Sequence, residues 1–349
     1  MKILIIKFRN IGDVLLSTPL IENLKLLLPD SIIDVAINKE SKDILKDNPN
    51  INKIHLYDRN LIKNQKPINK ILSETKFIKN ILSEKYDIVI SLTEGDRGSI
   101  IALLTKAKYR YGYLPKNRLL KLFKPFTKYK YTFERKHAVQ RDLDFLNFLK
   151  LSPLEKKVKI YFSKNDLKKI EKYRKNFIII HPVTKWQYKY WENDRFAKVV
   201  DFLIEKGERV IITGSKNPKE LDVINKIIKL SKYSPINLAG KLSLTEIAAL
   251  YSKAKLFIGL DTAPMHIAAA MDIPVITLFG LSDPIVWGPW ENELQKICYK
   301  DIRTTQHCGK HTIIQHPGEK IIYQNSVKKS EAMLKISTEE VIEEIKKKI

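Results

Sequence analysis

Short apolar runs alternate with longer stretches of helical periodicity twice along the 349-residue chain, the pattern of strands and helices in parallel-sheet units. In the first half, runs at 3–8, 32–37, 53–56, 88–92 and 109–112 predict strands, and amphipathic stretches at 14–28, 68–84 and 98–106 predict the helices between them. The alternation breaks at Ser152-Pro153, and 164–174 predicts a linking helix. A second series follows, with strands at 177–181, 209–213, 236–238, 256–259 and 275–279 and helices at 195–206, 219–229, 243–252 and 264–271. The chain closes on an amphipathic helix, opened by Ser337-Thr338 and ended by Lys346-Lys347-Lys348, which suits the helix dipole. An α/β fold of two doubly wound domains is predicted: 1–163, a linker helix at 164–177, 178–336, and a C-terminal helix at 337–349.

Composition leaves that picture intact. Hydrophobic residues at 44% and charged residues at 29% fit a folded globular protein. No apolar run approaches the ~18 residues that span a bilayer. Ile3-Leu4-Ile5-Ile6 is cut short by Lys7 and Arg9, so it reads as a buried strand and the expected location is cytoplasmic. Cys298 and Cys308 are expected to provide no disulfide framework and suit a reducing compartment. His307, Cys308, His311 and His316 offer one thiolate and no CxxC partner, so surface-loop chemistry is favoured over a zinc site.

Charge changes the picture more. The net charge is +24, and between residues 105 and 136 eleven Lys or Arg face a single acid, Glu134. Tyr109, Tyr111, Tyr113, Tyr129 and Tyr131 are interleaved with them. Such a patch could hold nucleic acid, anionic lipid or a phosphorylated glycolipid; an anionic membrane or glycolipid surface is favoured over nucleic acid.

The most specific chemistry lies between the strand at 256–259 and the Ala-rich helix after it. Asp261 or Thr262 reads as the cap and Pro264 sits in the first turn, where its missing N–H is harmless. A helix start at the carboxyl end of a parallel strand receives a diphosphate well, although an ordinary capped helix would look the same. At the end of the first strand, the Asn10-Ile11-Gly12-Asp13 turn has one glycine where a dinucleotide fold needs G-x-G-x-x-G, which argues against a dehydrogenase.

Asp261-Thr262-Ala263-Pro264-Met265-His266, with the following 274–280, resembles the nucleotide-sugar motif of the ADP-heptose:lipopolysaccharide heptosyltransferases, glycosyltransferase family 9, in which Gly often stands at the place of Ala263. The stretches 2–19 and 181–191 and Trp287-Gly288-Pro289-Trp290 resemble further blocks of that family, so the likeness runs from residue 1 to about 290. Lys185-Trp186-Gln187-Tyr188-Lys189-Tyr190-Trp191 and 91–98 look most like its heptosyltransferase III branch. The resemblance implies a GT-B fold: two Rossmann-like domains facing across a cleft, the N-terminal one binding acceptor and the C-terminal one nucleotide sugar. It implies an inverting, metal-independent transfer without a cofactor, from ADP-L-glycero-D-manno-heptose to the inner core of lipopolysaccharide or lipooligosaccharide, at the inner face of the inner membrane. Asp13 would then be the base for the acceptor hydroxyl, a helix cap or first-turn acid being its structural alternative. Thr184, Lys189 and the start of the helix at Asp261, Thr262, Ala263 and His266 would meet the donor diphosphate. Glu220 would bond the ribose, Leu242 would pack on adenine, and Arg97 would meet an acidic group of the acceptor unless it pairs with Glu94 or Asp96. A transferase using another sugar nucleotide and a basic nucleic-acid-binding α/β protein are the alternatives.

Overall fold

The structure, a computed structural model, describes residues 1–173, 175–318, 320–324 and 327–349. The chain divides into two compact units, Met1–Tyr161 and Phe162–Ile349. The first is built on six parallel strands: β1 Lys2–Lys7, β2 Ile32–Asn38, β3 Lys53–Tyr57, β4 Ile88–Ser91, β5 Tyr109–Tyr113 and β6 Lys128–Lys130. Their spatial order is β3-β2-β1-β4-β5-β6, so β1 lies inside the sheet, and its Ile3-Leu4-Ile5-Ile6 run is wholly buried. Covering both faces of a parallel sheet demands such continuous apolar strands.

The second unit carries β7 Ile178–His181, β8 Val210–Ile212, β9 Ile236–Asn237, β10 Leu256–Leu260, β11 Val275–Phe279, β12 Gln306–Cys308 and β13 His311–Gln315. Their order is β12-β13-β11-β10-β7-β8-β9, with β12 alone antiparallel to its neighbour. Set β12 aside and both sheets follow one scheme, in which the order reverses beside the unit's first strand. Ligands of doubly wound sheets bind at the carboxyl ends of strands at that reversal. It falls between β1 and β4 in one unit and between β7 and β10 in the other. A hairpin, β14 Ile321–Gln324 and β15 Val327–Ser330, follows the second sheet.

Differences from the sequence pattern have local causes. The stretch at 14–28 is two helices, Ile11–Leu15 and Thr18–Leu27, because Pro19 cannot donate an amide proton to Leu15. The hydroxyls of Ser17 and Thr18 donate to the carbonyls of Val14 and Leu15 instead, at 2.7 and 2.8 Å. The helix Lys164–Ile170 begins with a reciprocal Ser163/Asp166 cap, and Asp166 also accepts the Thr245 hydroxyl at 3.0 Å, which binds this helix into the second unit. The closing helix Thr338–Lys346 packs beside Asn193–Glu205. Cys298 and Cys308, expected to provide no disulfide framework, are bonded to each other with Cα atoms 5.1 Å apart, because the turn before β12 folds the chain back on itself.

Candidate active site

In the second unit the β7–β10 adjacency decides the geometry. Gly259 pairs with His181, and a Cβ at 259 would lie only 2.7 Å from the His181 carbonyl oxygen, so glycine permits the close approach of these two strands. The loop after β7 ends in the short helix Gln187–Lys189, and the Lys189 ammonium reaches Asp261, directly after β10, at 2.5 Å. Both side chains are largely buried, at 16% and 8% exposure. Of the two expected cap residues, Asp261 or Thr262, Asp261 does not serve: its carboxylate is committed to Lys189. Thr262 occupies the cap position of Ala263–Ala270 in an extended conformation, but its side chain makes no capping hydrogen bond. The first amide protons of this helix are thus not taken by its cap side chain. His266 lies one turn inside the helix and is buried.

Beneath the loop, the His181 ring nitrogen Nδ1 lies 2.9 Å from the Thr213 hydroxyl, which lies 3.0 Å from that of Tyr251. Burial pushes the His181 imidazole down to about 3, so it is a neutral support for the loop. Thr213 is thereby spoken for, while Glu220 accepts the Ser215 amide proton at 3.1 Å from the first turn of Pro218–Leu230. Thr184 and Glu220 share a cavity of about 500 Å³ with Trp186, Tyr188, Lys219 and Lys328. Leu242 lies outside that lining, half-buried after a turn in which Gly240 takes a positive φ of 71°.

At the reversal point of the first sheet, Asp13 is the third residue of Ile11–Leu15 and is 8% exposed. It belongs to the helix's first turn, but the cap position is held by Asn10. Its contacts are long: 3.5 Å from the Arg9 guanidinium and 3.4 Å from the Asn10 amide. Arg9 lies over the Phe133 ring at 5.6 Å, and Arg141 lies over the same ring at 4.6 Å. Below the loop, Lys7 bonds Asp142 at 2.8 and 2.9 Å. Burial raises the Asp142 carboxyl against the pull of Lys7. Sequence reasoning missed Arg141 and the Lys7–Asp142 pair, whose partners stand 135 positions apart. Arg97 begins the helix Asp96–Leu104, after β4. Neither Glu94 nor Asp96 is its partner: it bonds Glu74 at 3.0 Å and stacks over Tyr57 at 4.0 Å. Tyr57 donates to the same Glu74 oxygen at 2.5 Å.

Two sheets that share one strand order, β12 apart, thus carry an acid at one reversal point and a cation at the other. The sequence model of glycosyltransferase family 9, the heptosyltransferases, matches residues 74–316. The chain belongs to glycosyltransferase family 9. Lipopolysaccharide heptosyltransferase 3 of Escherichia coli is 31% identical over 299 residues, 84% of this chain and 87% of that protein. The lipopolysaccharide core heptosyltransferase OpsX of Haemophilus influenzae is 25% identical over 98% of this chain and 95% of its own length. Among solved structures, a family 9 glycosyl transferase from Veillonella parvula matches with a TM-score of 0.80 at 23% identity, over 99% of this chain and 96% of that one. Escherichia coli heptosyltransferase WaaC with ADP matches with a TM-score of 0.76 at 18% identity over 100% of both chains. This family 9 glycosyltransferase thus has the GT-B fold of two Rossmann-like domains.

Proposed function

We propose that this family 9 enzyme moves L-glycero-D-manno-heptose from its ADP derivative to an inner-core sugar of lipopolysaccharide or lipooligosaccharide, with inversion at the anomeric carbon. Two observations support the reading: in the first unit a loosely held carboxylate, Asp13, stands at the sheet's reversal point, and in the second unit the Lys189–Asp261 pair and a helix start without a side-chain cap stand at its own. The acceptor hydroxyl gives its proton to Asp13 and its oxygen attacks the anomeric carbon. The bond from that carbon to the diphosphate oxygen breaks, and ADP leaves with the electron pair. Lys189, the Thr184 hydroxyl and the start of the helix at Thr262, Ala263 and His266 meet the charge that builds on the diphosphate. Asp261 positions Lys189. The remaining oxygen of Glu220 bonds the ribose and Leu242 packs on adenine. Arg97, already neutralised by Glu74, meets an acceptor anion only in part, and Arg9 beside Asp13 supplements it.

The 31% identity to a heptosyltransferase 3 supports the acceptor as an inner-core heptose. Among the described residues no helix is long and apolar enough to cross a membrane. The basic segment at 106–136, with eleven Lys or Arg against one acid between 105 and 136, is assigned the docking on the inner face of the inner membrane. Mass measurement of truncated lipopolysaccharide acceptors after incubation with ADP-heptose tests the reading. A gain of one heptose residue supports it, and transfer only from another sugar nucleotide replaces it.

A further inference from the structure

Two segments of the first unit repeat one arrangement that the transfer chemistry does not use. After β3 the chain passes through the short helix Arg59–Lys63 into Pro67–Leu82. There Ile68, Ile71 and Leu72 are 74%, 65% and 62% exposed. After β5 it enters Arg118–Leu122, where Leu119, Leu122 and Phe123 are 67%, 76% and 64% exposed. Both triplets are spaced i, i+3, i+4, which puts the three side chains on one face of a helical turn.

Single exposed apolar residues are ordinary on a protein surface, but clusters ringed by one sign of charge are not. Along the chain Arg59, Lys63, Lys66 and Lys70 flank the first triplet with no acid between 59 and 73, and the bordering Asp58 and Glu74 are paired with Lys39 and Arg97. Lys116, Arg118, Lys121 and Lys124 surround the second, with no acid between 105 and 133. An apolar face edged by cations matches the boundary between lipid headgroups and acyl chains, where anionic phosphates lie above hydrocarbon. A nucleic acid would satisfy the cations and leave six large apolar side chains in water.

Strand order fixes where the two segments are rooted. Both leave the carboxyl edge of the parallel sheet, as does the Asp13 loop after β1. β3 stands two strands from β1 on one side and β5 two strands from it on the other. At roughly 4.8 Å per strand, each segment starts about 10 Å from the strand that carries Asp13.

We propose that these segments form a two-point footing on an anionic bilayer, the apolar triplets entering the interface and the cations meeting lipid phosphates, with the Asp13 loop between the footings. This extends the docking assigned to 106–136 and rests on that reading only in taking the acceptor to be lipid-linked. Binding itself requires neither donor nor acceptor.

The test is sedimentation of the full chain with vesicles of phosphatidylcholine alone or mixed with phosphatidylglycerol, at low and high salt. The wild type binds the anionic vesicles, and part of that binding survives high salt, because screening weakens the ionic contacts and leaves the apolar ones. Changing Ile68, Ile71 and Leu72 together to Ser, or Leu119, Leu122 and Phe123 together to Ser, lowers the salt-resistant part about tenfold. Joining the two sets removes it, since each footing holds the other near the surface. The unfolding transition and the affinity for ADP stay unchanged, because the six side chains are exposed and outside the donor unit. Three results overturn the proposal: anionic vesicle binding by the six-serine variant equal to wild type, loss from the second triplet alone, or self-association abolished by the variants while vesicle binding persists. Failure of heptose transfer to a soluble, delipidated acceptor counts against the transfer reading and leaves the vesicle result standing.

Discussion

The two reversal points share a topology and differ in charge. After β1, Asp13 is a carboxylate with its contacts at 3.4 and 3.5 Å, beyond the range of a strong hydrogen bond, so its lone pairs stay available to a proton donor. After β7 and β10, Lys189 is a cation clasped by Asp261 at 2.5 Å. The scaffold sets where a ligand meets the sheet, and the few residues after each strand set what the meeting does. On the proposed reading, one point takes a proton and the other meets a phosphate.

Substitutions that exchange these characters should give the largest effects. Asp13→Asn should lower turnover by ~10² or more while ADP affinity, measured by calorimetry, stays put, since only the proton acceptor is lost. Wild-type turnover in the folded variant would remove the distinction between the two points. Lys189→Ala should reduce kcat/KM by about 10² and, unlike Asp13→Asn, weaken ADP binding as well. If steady-state kinetics found KM for the donor and kcat untouched, Lys189 would be a structural partner of Asp261 and nothing more.

Acid should separate the units by a smaller amount. The folded His181 is held down to about 3, whereas an unfolded histidine titrates near ~6.5, so below that value the unfolded chain binds a proton that the folded chain refuses. Its stabilising contribution is whole above pH ~6.5 and falls toward pH 3 by about 1.4 kcal/mol per pH unit. His311, also held down to about 3, adds a second such slope in the same unit. Denaturant midpoints taken between about pH 6.5 and 5 should fall less steeply for His181→Gln than for the wild type; equal slopes would mean that His181 is protonated in the fold. The smallest effect should come from Arg97→Ala. A half-exposed pair with Glu74 plus stacking on Tyr57 is worth about 1 kcal/mol, so the midpoint should shift slightly and ADP affinity not at all. A change in acceptor KM of tenfold or more would promote Arg97 to a main acceptor contact.

How much could be read from the chain alone follows from the range of each interaction. β1, β10 and β11 stand out as unbroken buried runs, and the helix after β10 is marked by Pro264 and four alanines. β6 escapes because Lys-Tyr-Lys carries no apolar run, and β13 because His311 and Gln315 frame its three inner residues with polar side chains. The break near Pro19 was legible in principle from the proline itself. The types of residue at the two reversal points were also legible, as acid and cation in short loops after strands. Their partners were not: Asp261 lies 72 positions from Lys189 and Glu74 lies 23 from Arg97, so each pairing depends on which strands become neighbours. Local spacing therefore left Asp261 and Thr262 as equal cap candidates and offered Glu94 or Asp96 as partners of Arg97; tertiary adjacency took Asp261 for Lys189, left the cap position to Thr262 and gave Arg97 to Glu74.

The Lys189–Asp261 contact also shapes what a binding measurement on this protein means. On the proposed reading Asp261 is a resident stand-in for phosphate, so an arriving diphosphate would not add to a bare cation but would substitute for one anion with another. A measured ADP affinity would then be the difference between two ion pairs rather than the strength of either. The same substitution would run backwards when ADP departs, with the carboxylate returning to Lys189. Weaker binding and easier release would be two readings of a single exchange equilibrium.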